Sequence, residues 1–240
     1  MIEFHYVHTP NALKVRIMLE EVGLPFQRID YDLRNGDHLN PHFRRLNPNN
    51  KLPVIQDLQP ADGAGPVTVF ESGAILIYLA EKTGQLLSSD ARVRTTTLQW
   101  LMWQMAGLGP MLGQFAHFAR YSPEGQPYAL DRYTRELGRL LNVLEYRLGE
   151  AEFLAGIYSI ADIASFPIAS GLLKFGYDLS PYPQIERWIT AISVREAVMR
   201  ADDISGIPAR VLENPRDLSA EEWSNLYGDN MINASRGVPD

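Results

Sequence analysis

Three short segments hold residue types suited to gripping a small anionic ligand. Thr9-Pro10-Asn11 follows an alternating apolar run at Ile2, Phe4 and Tyr6 and opens a helical stretch. Thr as the N-cap and Pro at the first helical position make an ordinary helix start. The same helix end offers free N–H groups to an anion. A hydroxyl and a carboxamide placed there can donate hydrogen bonds to a bound thiolate. Glu71-Ser72 precedes a second, strongly apolar helix. Ser72 reads as its N-cap, a role compatible with holding a carboxylate, and Glu71 is placed to take an ammonium group. Leu52-Pro53 precedes a short extended run. Proline cannot donate to a strand ladder. The pair is either a plain loop-to-strand junction or a cis bond in a tight turn, which would leave neighbouring backbone groups free for a ligand.

Other chemistries lack their residues. The chain has no cysteine, hence no disulfide framework, no cysteine zinc site and no enzyme thiol. His38 and His42 share one helical face without a third ligand at zinc spacing. His117, within Phe115-Ala116-His117-Phe118, reads as core or pocket lining. The glycines of Gly107-Leu108-Gly109-Pro110-Met111-Leu112-Gly113 miss the dinucleotide fingerprint: the third comes one residue late and no strand precedes them. A kink or a close contact in a long helix fits them better. Ser159-Ile160-Ala161-Asp162 has capping-box spacing and a structural reading.

The net charge is -7, and eight acids against three bases fall between Asp202 and Asp240. The tail is acidic and the body nearly neutral, with no basic stripe for nucleic acid. No apolar run approaches the roughly 20 residues of a membrane span. The start of the chain shows no basic region followed by an apolar one, so a soluble cytoplasmic protein is expected.

The elements that position these segments divide the chain. Residues 1–84 alternate strand and helix, in the order β-α-β-(loop or short helix)-β-β-α, as a small α/β domain does. Its first helix shows one apolar face, through Leu13, Ile17, Met18, Leu19 and Val22. The second strand is expected over Phe26 to Leu33. Residues 85–90 form a linker. From 91 to 205 the patterns are helical, clearest from Tyr128 to Leu148, where Leu130, Tyr133, Leu137, Leu140, Leu141, Leu144 and Leu148 share a face. Residues 206–240 form the acidic tail, in which Ser219-Ala220-Glu221-Glu222 has capping-box spacing and predicts a short helix over Ala220–Tyr227.

In combination these features resemble the cytosolic glutathione transferases over about residues 1–205: a thioredoxin-like N-terminal domain followed by an all-helical C-terminal domain. Thr9-Pro10-Asn11, Asn47-Pro48-Asn49-Asn50-Lys51-Leu52-Pro53, Phe70-Glu71-Ser72-Gly73-Ala74-Ile75-Leu76 and Leu98-Gln99-Trp100 running to Gln114 are similar to the nu class, the bacterial disulfide-bond oxidoreductases. The resemblance implies a homodimer that uses glutathione, reduced or as the disulfide, as co-substrate. It implies that Thr9 donates to the glutathione sulfur with help from Asn11. Leu52, beside Pro53, would pair with the cysteinyl unit. Glu71 and Ser72 would hold the γ-glutamyl end, and Lys51 and Arg132 would answer carboxylates. His38 stands where the family often has Gln, at the glycine-end contact. Phe115-Ala116 replaces a more polar pair, so a second substrate pocket of Met111, Phe115 and Phe118 would be more apolar and bind a second glutathione less well. The tail beyond 205 is unmatched, with folding over the pocket as one expectation.

The implied chemistry is reduction of a small disulfide by bound glutathione. Three alternatives stay open: transfer or cleavage of glutathione thioethers on aromatic electrophiles, a peroxidase using the same thiolate, and a non-catalytic interaction protein of this fold.

Overall fold

The computed structural model describes residues 1–122, 124–174, 176–205 and 218–236. In the four-stranded sheet, β1 (Ile2–Tyr6) lies between β2 (Phe26–Asp30), parallel to it, and β3 (Val54–Asp57), antiparallel. β4 (Val67–Phe70) adds antiparallel to β3. β2 stops at Asp30, short of the expected Leu33. Asp32 explains this: its carboxylate accepts from the backbone N–H of Arg34 at 2.9 Å and turns the chain away.

α1 (Pro10–Val22) is capped by Thr9, and Gly23 ends it in the left-handed region, at φ 65. The expected single apolar face is too narrow. Lys14 and Arg16 are buried as well, because α1 packs on α3 (Ser72–Thr83) on one side and on the helical layer on the other. α2 (Pro41–Leu46) is capped by Asn40, whose side chain accepts from Phe43 N–H at 2.8 Å.

The helical layer begins with a continuous rod. α4 (Ala91–Trp103) runs through a π-helical turn at Gln104–Leu108 into α5 (Gly109–Ala116) and a second π turn at His117–Tyr121. Gly109 sits at a close contact: a Cβ there would come within 2.6 Å of Gln104 Nε2 and 3.2 Å of Gln104 O, so the Gln104 side chain would have to shift. α6 (Pro127–Glu150) buries Leu137, Leu140, Leu141, Leu144 and Leu148 along the expected face, with Leu130 and Tyr133 half-buried. α7 (Ile160–Lys174) is the axis of the layer, buried without interruption from Ile160 to Ala169. α8 (Pro183–Ser193) and α9 (Glu196–Ala201) follow.

Asp162 anchors this layer. Its Oδ1 accepts from Leu154 N–H at 2.9 Å and Trp188 Nε1 at 3.0 Å; its Oδ2 accepts from Ser159 N–H at 3.0 Å and Ser159 Oγ at 3.1 Å. The carboxylate therefore ties the 154–159 loop, the start of α7 and the face of α8 into one knot. Burial pushes its pKa up to about 6, against the pull of the four hydrogen bonds.

α1 is held between the layers by polar as well as apolar contacts. Arg195 Nε and Nη2 meet the Glu21 carboxylate at 2.6 and 2.9 Å, Arg200 meets Glu20 at 2.8 Å, and Arg16 donates to the carbonyls of Asp203 and Arg200.

The described residues of the tail include two helices. Ser219 and Glu222 form a capping box that starts α10 (Ala220–Tyr227), as the sequence predicts, and α11 (Asp229–Arg236) follows. Residues 206–217 and 237–240 of the expected tail lie outside the described residues. No described helix is long and apolar enough to cross a membrane.

Two outcomes follow. Asp162→Ala strands four buried donors and is expected to cost about 3 kcal/mol, read from urea denaturation; a loss under about 1 kcal/mol would mean that the donors find other partners. Asn225→Ala removes the bond from Asn225 Nδ2 to Arg34 O (2.8 Å) and the one from Asn230 Nδ2 to Asn225 Oδ1 (2.7 Å). Amide exchange over 220–236 should speed up about tenfold while the sheet is unaffected.

Candidate functional site

Strand register brings the three chemical segments to one edge of the sheet. His5 pairs with Val54, and Val54 with Phe70. The end of β1, the start of β3 and the end of β4 are thus neighbours. Thr9 lies just beyond the first, Leu52-Pro53 just before the second, and Glu71-Ser72 just beyond the third.

Thr9 is half-buried, and its hydroxyl oxygen accepts from Ala12 N–H at 3.4 Å. Accepting occupies a lone pair and leaves the hydroxyl proton to donate outward, beside the positive end of α1. Asn11 is exposed on the first turn.

The Leu52–Pro53 bond is cis, and the strand ladder begins only at Val54. Two asparagines that the motif reading gave no role brace this turn. Asn47 Nδ2 donates to Lys51 O and Asn50 Nδ2 to His38 O, both at 2.7 Å, and both residues are buried. Lys51 itself is exposed.

At α3 the sequence reading needs one correction. Ser72 is not the N-cap; it is the first helical residue, and Glu71 occupies the cap position at φ 67 without capping through its side chain. A left-handed glutamate costs of order 1–3 kcal/mol, a kind of strain that clusters at ligand clamps. The strained turn leaves the Glu71 side chain exposed and Ser72 buried, its Oγ 3.6 Å from Met105 Sδ. Lys14 Nζ lies 3.0 Å from Gln104 Oε1 and 3.8 Å from the same Met105 sulfur.

His38 is nearly fully buried, with Nε2 3.3 Å from Met231 Sδ of α11. The tail spans the two layers here. Asn225 and Met231 meet the 34–38 segment, while Trp223 and Tyr227 join His117 and Tyr121 in an aromatic cluster, the His117–Tyr227 centroids 5.1 Å apart.

The remaining predicted residues lie apart from the sheet edge. Arg132 is exposed on α6 and paired with Glu136 at 3.8 Å; among the described residues no hydrogen bond or ion pair joins it to the sheet layer. Met111 and Phe115 pack against the core, Phe115 edge-on to Tyr177 at 6.3 Å. Phe118 stacks on Tyr133 and lines a cavity of about 810 Å³ shared with Tyr121 and Trp223. A second cavity, about 650 Å³, opens beside Thr9. Its walls are mainly apolar, through Leu13, Phe166, Leu173, Ile189 and Met199, with His8, Arg120, Lys174, Asp202 and Asp203 also lining it; packing of α1 on α7 and α9, and of α8 on both of those, brings most of them together.

Known proteins of similar sequence and fold identify the family. Residues 8–82 match the glutathione S-transferase N-terminal domain and residues 106–196 its C-terminal domain. The chain is 48% identical over 202 residues to the disulfide-bond oxidoreductase YfcG of Escherichia coli, covering 84% of this chain and 94% of that protein. A glutathione transferase from Burkholderia graminis, solved with two glutathione molecules per subunit, is 44% identical at a TM-score of 0.80 and covers 86% of this chain and 89% of its own. One from Pseudomonas putida, solved with one glutathione disulfide per subunit, is 41% identical at a TM-score of 0.78, covering 85% and 92%. With two matched domains in this order and a thioredoxin-like sheet followed by a helical layer, the chain belongs to the glutathione S-transferase family.

Proposed function

We propose that this protein is a glutathione-dependent disulfide-bond reductase in which bound glutathione supplies the attacking thiolate. The observation that carries the reading is a cysteine-free chain whose Thr9 hydroxyl stands at the N-terminus of α1 with its proton free to donate. The names of the relatives, a disulfide-bond oxidoreductase among them, support it.

In this reading Thr9 and Asn11 hold the sulfur. Leu52, set out of the ladder by Pro53, pairs with the cysteinyl backbone. Ser72 and the end of α3 take the γ-glutamyl carboxylate, Glu71 takes the ammonium, and Lys51 answers the glycine carboxylate. His38 reaches that end only where Met231 gives way. Arg132 is exposed, so it can serve a ligand of the second subunit in a homodimer. The nu class and a reducing, cytoplasmic setting fit a reductase fed by the glutathione pool.

A free thiol titrates near 8.5, and lowering it by about two units needs some 2.7 kcal/mol of preference for the thiolate. A hydroxyl donor and a helix end are of the right size to supply it. The thiolate attacks one sulfur of the substrate disulfide and expels the other as a thiolate. A second glutathione thiolate then attacks the glutathione sulfur of the mixed disulfide, releasing the second substrate thiol and glutathione disulfide. The walls of the cavity beside Thr9 also favour a second reading, thioether chemistry on apolar electrophiles.

The test is glutathione-dependent reduction of a small dialkyl disulfide, followed through NADPH consumption by added glutathione reductase. A rate far above uncatalysed exchange is expected; background rate, with consumption of glutathione by an aromatic electrophile, would replace this reading with the thioether one. Thr9→Ala should lower turnover by about 10–100-fold, the worth of one hydrogen bond to a charged group, and move the pH of half-maximal rate upward. Full activity with an unchanged pH profile would remove Thr9 from the mechanism.

A further inference from the structure

Lys14 is a long cationic side chain placed where a cation is costly. It is 1% exposed, and no carboxylate among the described residues lies within ion-pair distance. Its amine meets a neutral carboxamide, Gln104, and a thioether, Met105. Gln104 is fully buried, and its Nε2 has no hydrogen-bond partner. The π turn thus presents only uncharged groups to the amine. Just before α3, Glu71 is the one charged residue whose field reaches it. On α1 itself, the neighbouring Arg16 points away, to the carbonyls of Asp203 and Arg200. With no anion in contact, burial outweighs the more distant Glu71, favours the neutral amine and holds Lys14 at about 7.

The position of this amine is informative. Lys14 Nζ and Ser72 Oγ share one neighbour, Met105 Sδ, at 3.8 and 3.6 Å. A carboxylate seated on Ser72 would be linked to the amine through that single shared sulfur, in surroundings where a charge is poorly screened. Glu71 is exposed, so an ammonium paired with it would sit farther out.

We propose that Lys14 is a buried countercharge for the γ-glutamyl carboxylate, and that its amine takes up a proton from solvent when that carboxylate docks. This deepens the proposed function and rests on its placement of the γ-glutamyl end. In the empty site the amine stays largely uncharged above neutral pH and carries little desolvation cost. The arriving carboxylate supplies the missing anion, and the charge appears only where it is compensated.

The test is calorimetric titration of the full chain with S-methylglutathione, whose sulfur carries no proton to confuse the count. Titrations near pH 8 in two buffers of different ionisation enthalpy give the protons taken up per ligand bound. Uptake above about half a proton is expected near pH 8, falling toward zero near pH 6, where the amine is already charged. Gln104→Glu puts a permanent carboxylate where the 3.0 Å partner now stands, so the amine stays charged and the uptake should vanish while binding persists. Lys14→Met should lose the uptake as well. Uptake that is absent in the natural chain, or unchanged in a folded variant, would overturn the role of Lys14 and leave glutathione binding intact. No binding of S-methylglutathione at millimolar concentration would instead remove the glutathione site, and this proposal with it.

Discussion

A carboxylate sealed inside a helical layer has to satisfy its donors or unfold its surroundings. Asp162, at the start of α7, meets four of them, three from the 154–159 loop and one from Trp188 of α8. That knot fixes the axial helix of the second layer. α7 in turn packs along α1, and the N-terminus of α1 carries Thr9. A group with no part in binding therefore decides where the sulfur-facing hydroxyl stands. The pairs Glu21–Arg195 and Glu20–Arg200 reinforce the same seam from its rim. They are partly exposed, so geometry is their main contribution and stability a smaller one.

Local signals in the sequence were legible where one residue type answers one backbone need. The Thr9 cap, the capping box at Ser219 and Glu222 and the Ser159–Asp162 pair all stand where spacing places them. The Leu52–Pro53 turn left two readings, and the backbone adopts the cis one. Glu71 escaped because Ser is the better N-cap by type, and nothing local announces a glutamate at positive φ. The rod from α4 to the second π turn hid its register for a related reason. Each π turn adds residues to a turn, so the side that Met111, Phe115 and Phe118 face cannot be carried forward from Trp100. The cavity beside Thr9 was illegible for another reason. Its walls come from α1 and from helices more than 100 residues away in the chain, and their apolar residues look like core in any one-dimensional pattern.

Lys14 shows the same limit at one residue. On a helical wheel it reads as part of a solvated face. Only the sandwiching of α1 between two layers makes it internal, and only the contacts of Met105 link it to Ser72. A buried polar group that breaks the local pattern marks where the fold accepts a cost that the pattern does not explain.

The tail holds both layers at once, through Asn225 and Met231 on one side and Trp223 and Tyr227 on the other. Its helices belong to the same polypeptide as the segment they cover. Their grip on His38 is therefore unimolecular and does not weaken on dilution. A molecule competing for that seat works against a tethered rival whose local concentration is on the order of millimolar. Covalent connection, and not the amount of protein present, sets how readily that end of the cleft is vacated.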